Sequence, residues 1–248
     1  MNDLRTTLVQ CDLRWEDPDA NCKLLEQQLG DLDGGTTDLI VLPEMFSTGF
    51  TMNSREVAEP MAESPAVAWL LDQARQRNCV VTGSVAVVEA GEYVNRLIWA
   101  RPDGSLVHYD KRHLFRMAGE HKRYAMGHDR VIITLKGFRI LLSVCYDLRF
   151  PVWLRQNPGP EEHFEYDAIL CVANWPEPRR HPWRILLQAR AIENLCPVIG
   201  VNRVGEDANG MRYSGDSMLV DHKGEALIDE PAGGAFTKTG TLSRADLD

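Results

Sequence analysis

The chain has 248 residues, of which 44% are hydrophobic and 25% charged, and its formal net charge at pH 7 is −9. This composition is typical of a globular protein long enough to bury a sizeable core, and we expect one domain over residues 1–248. Sequence-independent binding of nucleic acid needs an excess of Lys and Arg, so the negative charge argues against a nucleic-acid partner.

The amino terminus and the cysteines indicate the compartment. The first residues, MNDLRTTLVQCDL, lack a basic segment followed by an apolar one, and no apolar run approaches the ~20 residues that span a bilayer. We therefore expect a cytoplasmic protein with no membrane partner. The six cysteines are expected to be reduced, and none forms the Cys-x-x-Cys pair typical of zinc and redox sites.

Hydrophobic patterning predicts strands that alternate with helices. In chain order we expect a strand at 4–11, a helix at 18–32 ended by Gly34-Gly35, a strand at 38–42, a helix from Ser64-Pro65, a strand at 79–88, a hairpin of strands 93–100 and 105–110, a long loop at 112–129, strands at 130–135 and 138–144, a turn at Asn157-Pro158-Gly159-Pro160, a strand at 167–172, a helix from His181-Pro182, and strands at 197–202, 217–220 and 225–229. The last helix is expected to face a sheet through Ile185, Leu186, Ala189 and Ile192. This order suits an α/β fold with two sheets between helical layers.

Three polar residues, Glu44, Lys111 and Cys145, each follow directly on a predicted strand. The crevice at the carboxyl ends of strands is a common place for ligands, so these side chains are candidates for one site. A cysteine that attacks an amide or nitrile carbon needs a base such as Glu44, and the charge that develops needs a cation such as Lys111. By the residues alone, they are more often a loop acid, a surface charge and a small core residue.

Five segments resemble, in the same order, the motifs of the nitrilase (carbon–nitrogen hydrolase) superfamily. They are Leu42-Pro43-Glu44, Tyr109-Asp110-Lys111 with His113-Leu114-Phe115 behind it, Cys145-Tyr146-Asp147-Leu148-Arg149-Phe150-Pro151, Asn174-Trp175-Pro176, and Arg190-Ala191-Ile192-Glu193-Asn194. The resemblance extends to about residue 243 and is closest to the ω-amidase branch, which deamidates 2-oxoglutaramate. It implies a four-layer αββα sandwich, with two mixed, mainly antiparallel sheets flanked by helices, that forms a homodimer.

The resemblance also implies roles for the site residues. Cys145 would be the nucleophile, Glu44 the general base and Lys111 the oxyanion partner, and Glu120 would match a second glutamate that orients the lysine. The protein would then be an amidase that converts 2-oxoglutaramate, or a succinamate-like ω-amide, to the dicarboxylic acid and ammonia through a thioester. This small-molecule reaction gives no task to a metal or an organic cofactor. The alternative for Glu120 is an exposed loop acid.

Further residues near these motifs are expected to bind the substrate. Tyr146 would contribute its backbone N–H, and Arg149 or Arg116 would bind a carboxylate of the substrate. An apolar wall would be formed by Phe115, Met117 and Trp175. Either arginine could instead pair with Asp147 or Glu120, and the aromatic residues could be plain core.

The sequence is also compatible with other functions. A nitrilase or an N-carbamoyl amide hydrolase would use the same Glu-Lys-Cys set. A papain-like hydrolase would need His113 or His121 as its base. A non-catalytic binding protein of the same fold is the alternative from a different class, and in it Cys145 would react with a thiol reagent no faster than the other cysteines.

Overall fold

The computed structural model describes residues 3–157 and 164–246, and it forms helices and strands in the alternating order that the patterning predicts. The α-helices of this part are α1 (Pro18–Leu29), α2 (Ser54–Val57), α3 (Pro65–Arg77), α4 (Pro151–Leu154) and α5 (Arg180–Asn194). The strands are β1 (Leu4–Gln10), β2 (Leu39–Val41), β3 (Glu59–Pro60), β4 (Val80–Glu89), β5 (Glu92–Ala100), β6 (Leu106–Asp110), β7 (Ile132–Leu135), β8 (Phe138–Val144), β9 (Ala168–Ala173), β10 (Val198–Asn202), β11 (Val204–Glu206), β12 (Arg212–Ser214), β13 (Met218–Val220), β14 (Ala226–Asp229) and β15 (Phe236–Leu242).

These strands form two mixed sheets. The first has the order β15-β1-β2-β4-β5-β6, with β3 beside β4, and the second has the order β14-β13-β10-β9-β8-β7. Parallel pairing joins β1, β2 and β4 in the first sheet and β8, β9 and β10 in the second. The short strands β11 and β12 pair as an antiparallel hairpin.

The two sheets pack face to face between helical layers. Fully buried side chains such as Leu8 and Trp99 of the first sheet and Leu141 of the second belong to one hydrophobic cluster. That cluster continues to α5, while a second cluster joins the first sheet to α1 and α3 through residues such as Leu29 and Leu70. The predicted four-layer αββα fold is confirmed.

Helix α1 ends three residues earlier than the periodicity predicts. Its last residue is Leu29, and Gly30 follows with φ of +49° and donates its backbone N–H to the carbonyl of Glu26. A positive φ at this position favours glycine, so the chain leaves the helix before it reaches Gly34 and Gly35.

The predicted stripe of the last helix is wrong at Ile185 and Ile192, whereas Leu186 is half-buried and packs against the core. Ile185 and Ile192 are 50% and 54% exposed, and the apolar side chains that α5 buries are Trp183, Leu187 and Ala191. The buried face also contains Arg190 and Asn194. Because these residues are polar, the hydrophobic pattern assigns them to the solvent side. Their polar groups are satisfied inside, since Arg190 donates to the carbonyl of Leu148 and Asn194 to that of Arg190.

The sequence analysis missed several strands, of which β15 is the longest. It pairs with β1 along seven residues at the edge of the first sheet, and its threonines and lysine leave it half polar. An edge strand with one solvated face carries a weak apolar signal. Residues 158–160 of the predicted turn lie outside the described residues. No helix within 3–157 and 164–246 has both the length and the apolar character that crossing a bilayer requires.

Candidate active site

The three candidate residues follow strands of both sheets. Lys111 comes directly after β6, Cys145 directly after β8, and Glu44 three residues after β2. Glu44 and Lys111 are fully buried and Cys145 is 7% exposed. The face-to-face packing of the sheets is what brings these distant segments together.

Lys111 lies between two carboxylates. Its Nζ donates to Oε1 of Glu44 at 2.8 Å and to Oε1 and Oε2 of Glu120 at 2.9 and 3.0 Å. Glu120 is also fully buried, and its Oε2 accepts the backbone N–H of Phe115. Glu120 is therefore part of the buried cluster and is not an exposed loop acid.

Two asparagines that the sequence analysis did not select hold Glu44 in place. Asn95 donates through Nδ2 to Oε1 of Glu44 at 2.8 Å, and the backbone N–H of Asn174 donates to Oε2 at 2.7 Å. Nδ2 of Asn174 also donates to the backbone carbonyl of Glu44. A carboxylate oxygen has two acceptor directions, so Oε2 keeps one for a further proton donor. Asn95 could have been noticed in the sequence, because it is a polar residue inside the apolar run of β5.

Cys145 begins a tight helical turn. Its φ is +47°, in the left-handed region that residues other than glycine rarely adopt, and the turn Cys145–Arg149 is a 3₁₀ helix. Such a backbone conformation costs on the order of 1–3 kcal/mol and persists where surrounding contacts enforce it. The first N–H groups of a helical turn have no partner within it, which leaves the N–H of Tyr146 suited to bind an anion.

Asp147 supplies the contacts that hold this turn. Its buried carboxylate accepts the hydroxyl of Tyr109 at 2.7 Å, the backbone N–H of Val144 at 3.0 Å and the backbone N–H of His113 at 2.8 Å. The Nδ1 of His113 lies 2.8 Å from the same carboxylate, and its ring stacks on Phe150. One carboxylate thus joins the strand that precedes Lys111 to the turn that presents Cys145.

The ionisation of the cluster follows from its burial and its charges. Burial and the Glu44 carboxylate raise the pKa of the Cys145 thiol well above its usual range, although Lys111 opposes them. Burial also raises the pKa of Glu120. Burial alone would lower the pKa of Lys111, but Glu120 and Glu44 outweigh it and raise the pKa. These shifts favour the protonated thiol and the charged ammonium, so a nucleophilic thiolate at this position would need a base to form it.

A cavity of about 380 Å³ opens beside the cysteine. Its lining residues are Trp15, Phe50, Thr51, Met52, Asn53, Phe115, Ala118, Cys145, Tyr146, Arg149, Asn174, Trp175, Pro176, Arg179, Asp207, Asn209, Met211 and Tyr213. The β11–β12 hairpin and the segment after Glu44 thus supply walls that the sequence analysis did not anticipate.

Most of the residues predicted to bind substrate line this cavity. Phe115, Tyr146, Arg149 and Trp175 are in its wall, and the rings of Phe115 and Tyr146 are 5.1 Å apart. Arg116 and Met117 are exposed and lie outside the wall. They follow Phe115 in a short 3₁₀ turn, Arg116–Ala118, of which only Ala118 is in the described wall.

The two histidines proposed as alternative bases lie away from the cavity wall. His113 and His121 are both absent from the lining of the cavity, and His121 is exposed. Within 3–157 and 164–246, no group of three or more His, Cys, Asp or Glu side chains is arranged to hold a metal ion.

Comparison with known proteins places the chain in a family. The family model for carbon-nitrogen hydrolases matches residues 5–248. The chain is 45% identical to the ω-amidase YafV of Escherichia coli K12, over 100% of the chain and 93% of the relative, and 32% identical to a 2-oxoglutaramate amidase of Bacillus subtilis 168, over 89% and 84%. The crystal structure of XC1258 from Xanthomonas campestris, a CN-hydrolase superfamily protein with an arsenic adduct in its active site, superposes with a TM-score of 0.96 at 45% identity, covering 100% of this chain and 93% of that one. The chain belongs to the carbon-nitrogen hydrolase family, as its ordered motifs predict.

Proposed function

We infer that this protein is an ω-amidase, which converts 2-oxoglutaramate or a similar ω-amide to the dicarboxylic acid and ammonia. The observation that carries this proposal is the buried Glu44–Lys111–Glu120 cluster behind a cavity that Cys145 lines. The names of the Escherichia coli and Bacillus subtilis relatives support the same substrate class.

The first half of the reaction forms a thioester. Glu44 takes the thiol proton through the free acceptor direction of Oε2, and the sulfur of Cys145 adds to the carboxamide carbon. The negative charge that develops on the carboxamide oxygen is stabilised by the Lys111 ammonium and the N–H of Tyr146. Glu44 then gives its proton to the departing nitrogen, the carbon–nitrogen bond breaks, and ammonia leaves.

The second half hydrolyses the thioester. Glu44 takes a proton from a water molecule, and the resulting hydroxide adds to the thioester carbon while the same donors hold the oxyanion. The carbon–sulfur bond breaks, the dicarboxylic acid leaves, and Glu44 returns the proton to the sulfur of Cys145. The net change is one amide and one water converted to one acid and one ammonia.

The cavity wall fits a small ω-amide with a free carboxylate. Arg149 lies in this wall four residues after the nucleophile, and its guanidinium can bind a carboxylate through two N–H donors. Phe115 and Trp175 provide apolar surface for the methylene groups of the substrate.

The alternative functions make different demands on the same site. A papain-like reaction would need a histidine as its base. The Nδ1 of His113 lies 2.8 Å from the Asp147 carboxylate and its ring stacks on Phe150, while His121 is exposed. A nitrilase or an N-carbamoyl amide hydrolase would use the same three groups, so the products must distinguish them.

The test is to incubate the purified protein with 2-oxoglutaramate, succinamate, glutamine and a simple nitrile, and to measure ammonia. We expect ammonia from 2-oxoglutaramate and succinamate, and Cys145→Ala and Glu44→Gln should abolish it without loss of the folded circular dichroism spectrum. Cys22→Ala, which changes a half-buried cysteine of α1 outside the cavity, is the matched control and should retain full activity. Full activity of Cys145→Ala, or release of ammonia from the nitrile alone, would contradict the proposal.

We also propose that the protein forms a homodimer through the outer face of α5. Ile185, Ile192 and the following Leu195 are 50%, 54% and 59% exposed, and Val152 of α4 is 88% exposed. Apolar residues that repeat along one exposed helix face are typical of a surface covered by a second copy. Light scattering should give twice the mass of one chain, and Ile192→Glu should halve it, whereas Met126→Glu at an equally exposed loop position should not. A monomeric parent protein would contradict the proposal.

A further inference from the structure

Two guanidinium groups lie in the cavity wall on aromatic rings. The Cζ of Arg149 is 5.2 Å from the ring centre of Trp175, and the Cζ of Arg179 is 5.4 Å from that of Phe115. Both arginines are half-buried, and the indole of Trp175 donates to the backbone carbonyl of Arg179 at 2.7 Å. A guanidinium that lies on a ring face keeps its N–H donors in its own plane, directed past the ring.

Neither of these guanidiniums has an acidic partner within the part of the chain that the structure describes. The polar contact of Arg179 is a weak one, from Nη2 to the sulfur of Met117 at 3.6 Å. By contrast, Arg96 and Arg139 outside the cavity each form ion pairs, with Asp110 at 2.7 Å and with Asp167 at 2.7 Å. The two cavity arginines therefore have donors available for a bound anion.

The carboxylate in the described cavity wall, that of Asp207, already accepts three hydrogen bonds. Asp207 accepts the backbone N–H groups of Asn209 and Met211 on Oδ1, at 2.8 and 3.0 Å. Its Oδ2 accepts the hydroxyl of Tyr213 at 2.9 Å. The wall thus presents two positive charges to a ligand and one negative charge whose acceptor positions are largely occupied.

We propose that Arg179 is a specificity-determining residue: with Arg149 it makes the cavity select ω-amides that carry an oxo group beside the carboxylate and reject those that carry an ammonium there. The inference rests on the proposed ω-amidase function and assigns the choice of substrate within it to one side chain.

The chemistry of the substrate head explains the selection. A 2-oxo acid offers three acceptor oxygens on adjacent carbons, which is one more than a single guanidinium can bind with a two-donor contact. The second guanidinium supplies donors for the remaining oxygen. A 2-amino acid places a positive charge at the same carbon, where it meets the charges of two guanidinium groups.

The test compares three substrates of equal length: 2-oxoglutaramate, glutaramate, which has no group at carbon 2, and glutamine. In Arg179→Met the kcat/KM ratio of 2-oxoglutaramate to glutamine should fall by about tenfold or more, because one set of donors and one repulsive charge are lost. The kcat/KM for glutaramate should change by less than about threefold. Arg179→Lys keeps the charge and should retain the rejection of glutamine while losing part of the gain from the oxo group.

The controls separate this inference from the function on which it rests. Arg55→Met changes an exposed arginine of α2 outside the cavity and should leave the ratio unaltered. If the parent enzyme is active and Arg179→Met lowers all three substrates by the same factor, or leaves the ratio unchanged, this inference is overturned and the ω-amidase proposal stands. If the parent releases no ammonia from any of the three, both are overturned.

Discussion

At the scale of single residues, the unusual feature is a lysine that shares its ammonium between two buried carboxylates. Lys111 contacts three carboxylate oxygens within 3.0 Å, and none of the three side chains is exposed to solvent. Buried charges of this kind are costly unless they are paired, so the two carboxylates fix the position of the ammonium.

Glu120→Gln tests whether this positioning serves the reaction. The variant keeps the size of the side chain but removes the negative charge that pairs with Lys111, so the ammonium should lose its fixed orientation. We expect kcat to fall by about 10²-fold with KM within about threefold, because the cavity lining does not include Glu120. Steady-state kinetics with 2-oxoglutaramate give both constants.

Glu120→Asp is the companion variant, and its retained charge should restore part of kcat. A merely structural role for Glu120 would instead lower the thermal midpoint and leave kcat per folded molecule unchanged. That outcome would contradict the positioning role.

At the scale of elements, the packing of α5 on the second sheet supports the cysteine turn. Arg190 of α5 donates through Nε and Nη2 to the carbonyl of Leu148 in the turn that begins at Cys145. The helix approaches the sheet closely at Gly200 of β10, where an added Cβ would meet both methyl groups of Leu187 at 2.6 Å. The absence of a side chain at Gly200 therefore sets the distance between the helix and the sheet.

Gly200→Ala should lower the free energy of unfolding by about 1–3 kcal/mol, because the added methyl group forces Leu187 away from the sheet. Urea unfolding followed by circular dichroism measures this change. Gly234→Ala is the matched control, since its Cβ would meet nothing within 4 Å and its φ is not positive, and its stability should stay near that of the parent. Equal stabilities of the two variants would show that Gly200 does not set this spacing.

At the scale of the whole molecule, an ion pair on the outside of the core joins the two sheets. Asp38, at the start of β2, binds the guanidinium of Arg5 in β1 at 2.8 Å, and it also accepts from Lys136 in the β7–β8 turn at 3.1 Å. Burial alone would raise the pKa of Asp38, but the bonds from Arg5 and Lys136 outweigh it and lower the pKa to about 2.

This lowered pKa predicts how stability depends on pH. Asp38 binds its proton less readily in the folded state than in the unfolded state, so its contribution is present above its ordinary pKa of 3.8 and is lost as the pH falls towards 2. Asp38→Asn should therefore lower the free energy of unfolding by about 1–2 kcal/mol at pH 7, with partial exposure of both cations limiting the effect. Urea titrations at several pH values should show the parent and the variant converging below about pH 4. A difference that stays constant from pH 7 to pH 3 would contradict this role.

Much of the fold could be predicted from the sequence because its signals are local. Apolar runs such as Phe138–Val144 identify strands wherever they occur, and the positions of Glu44, Lys111 and Cys145 after such runs are visible without coordinates. Ordered motifs then identified the family, because each motif is a short contiguous segment.

The tertiary structure alone decided which polar residues face inward. Arg190 on α5 and Asn95 in β5 are buried because their hydrogen-bond partners lie far away along the chain, and a local pattern cannot show such partners. The same reason explains why the exposed face of α5 was mistaken for its buried face and why the position of Arg179 in the cavity wall was not predicted. The sequence by itself determined the family and most of the strands and indicated the candidate reacting groups. Burial of charge and the walls of the cavity depend on which distant segments meet, and only the packed sheets establish that.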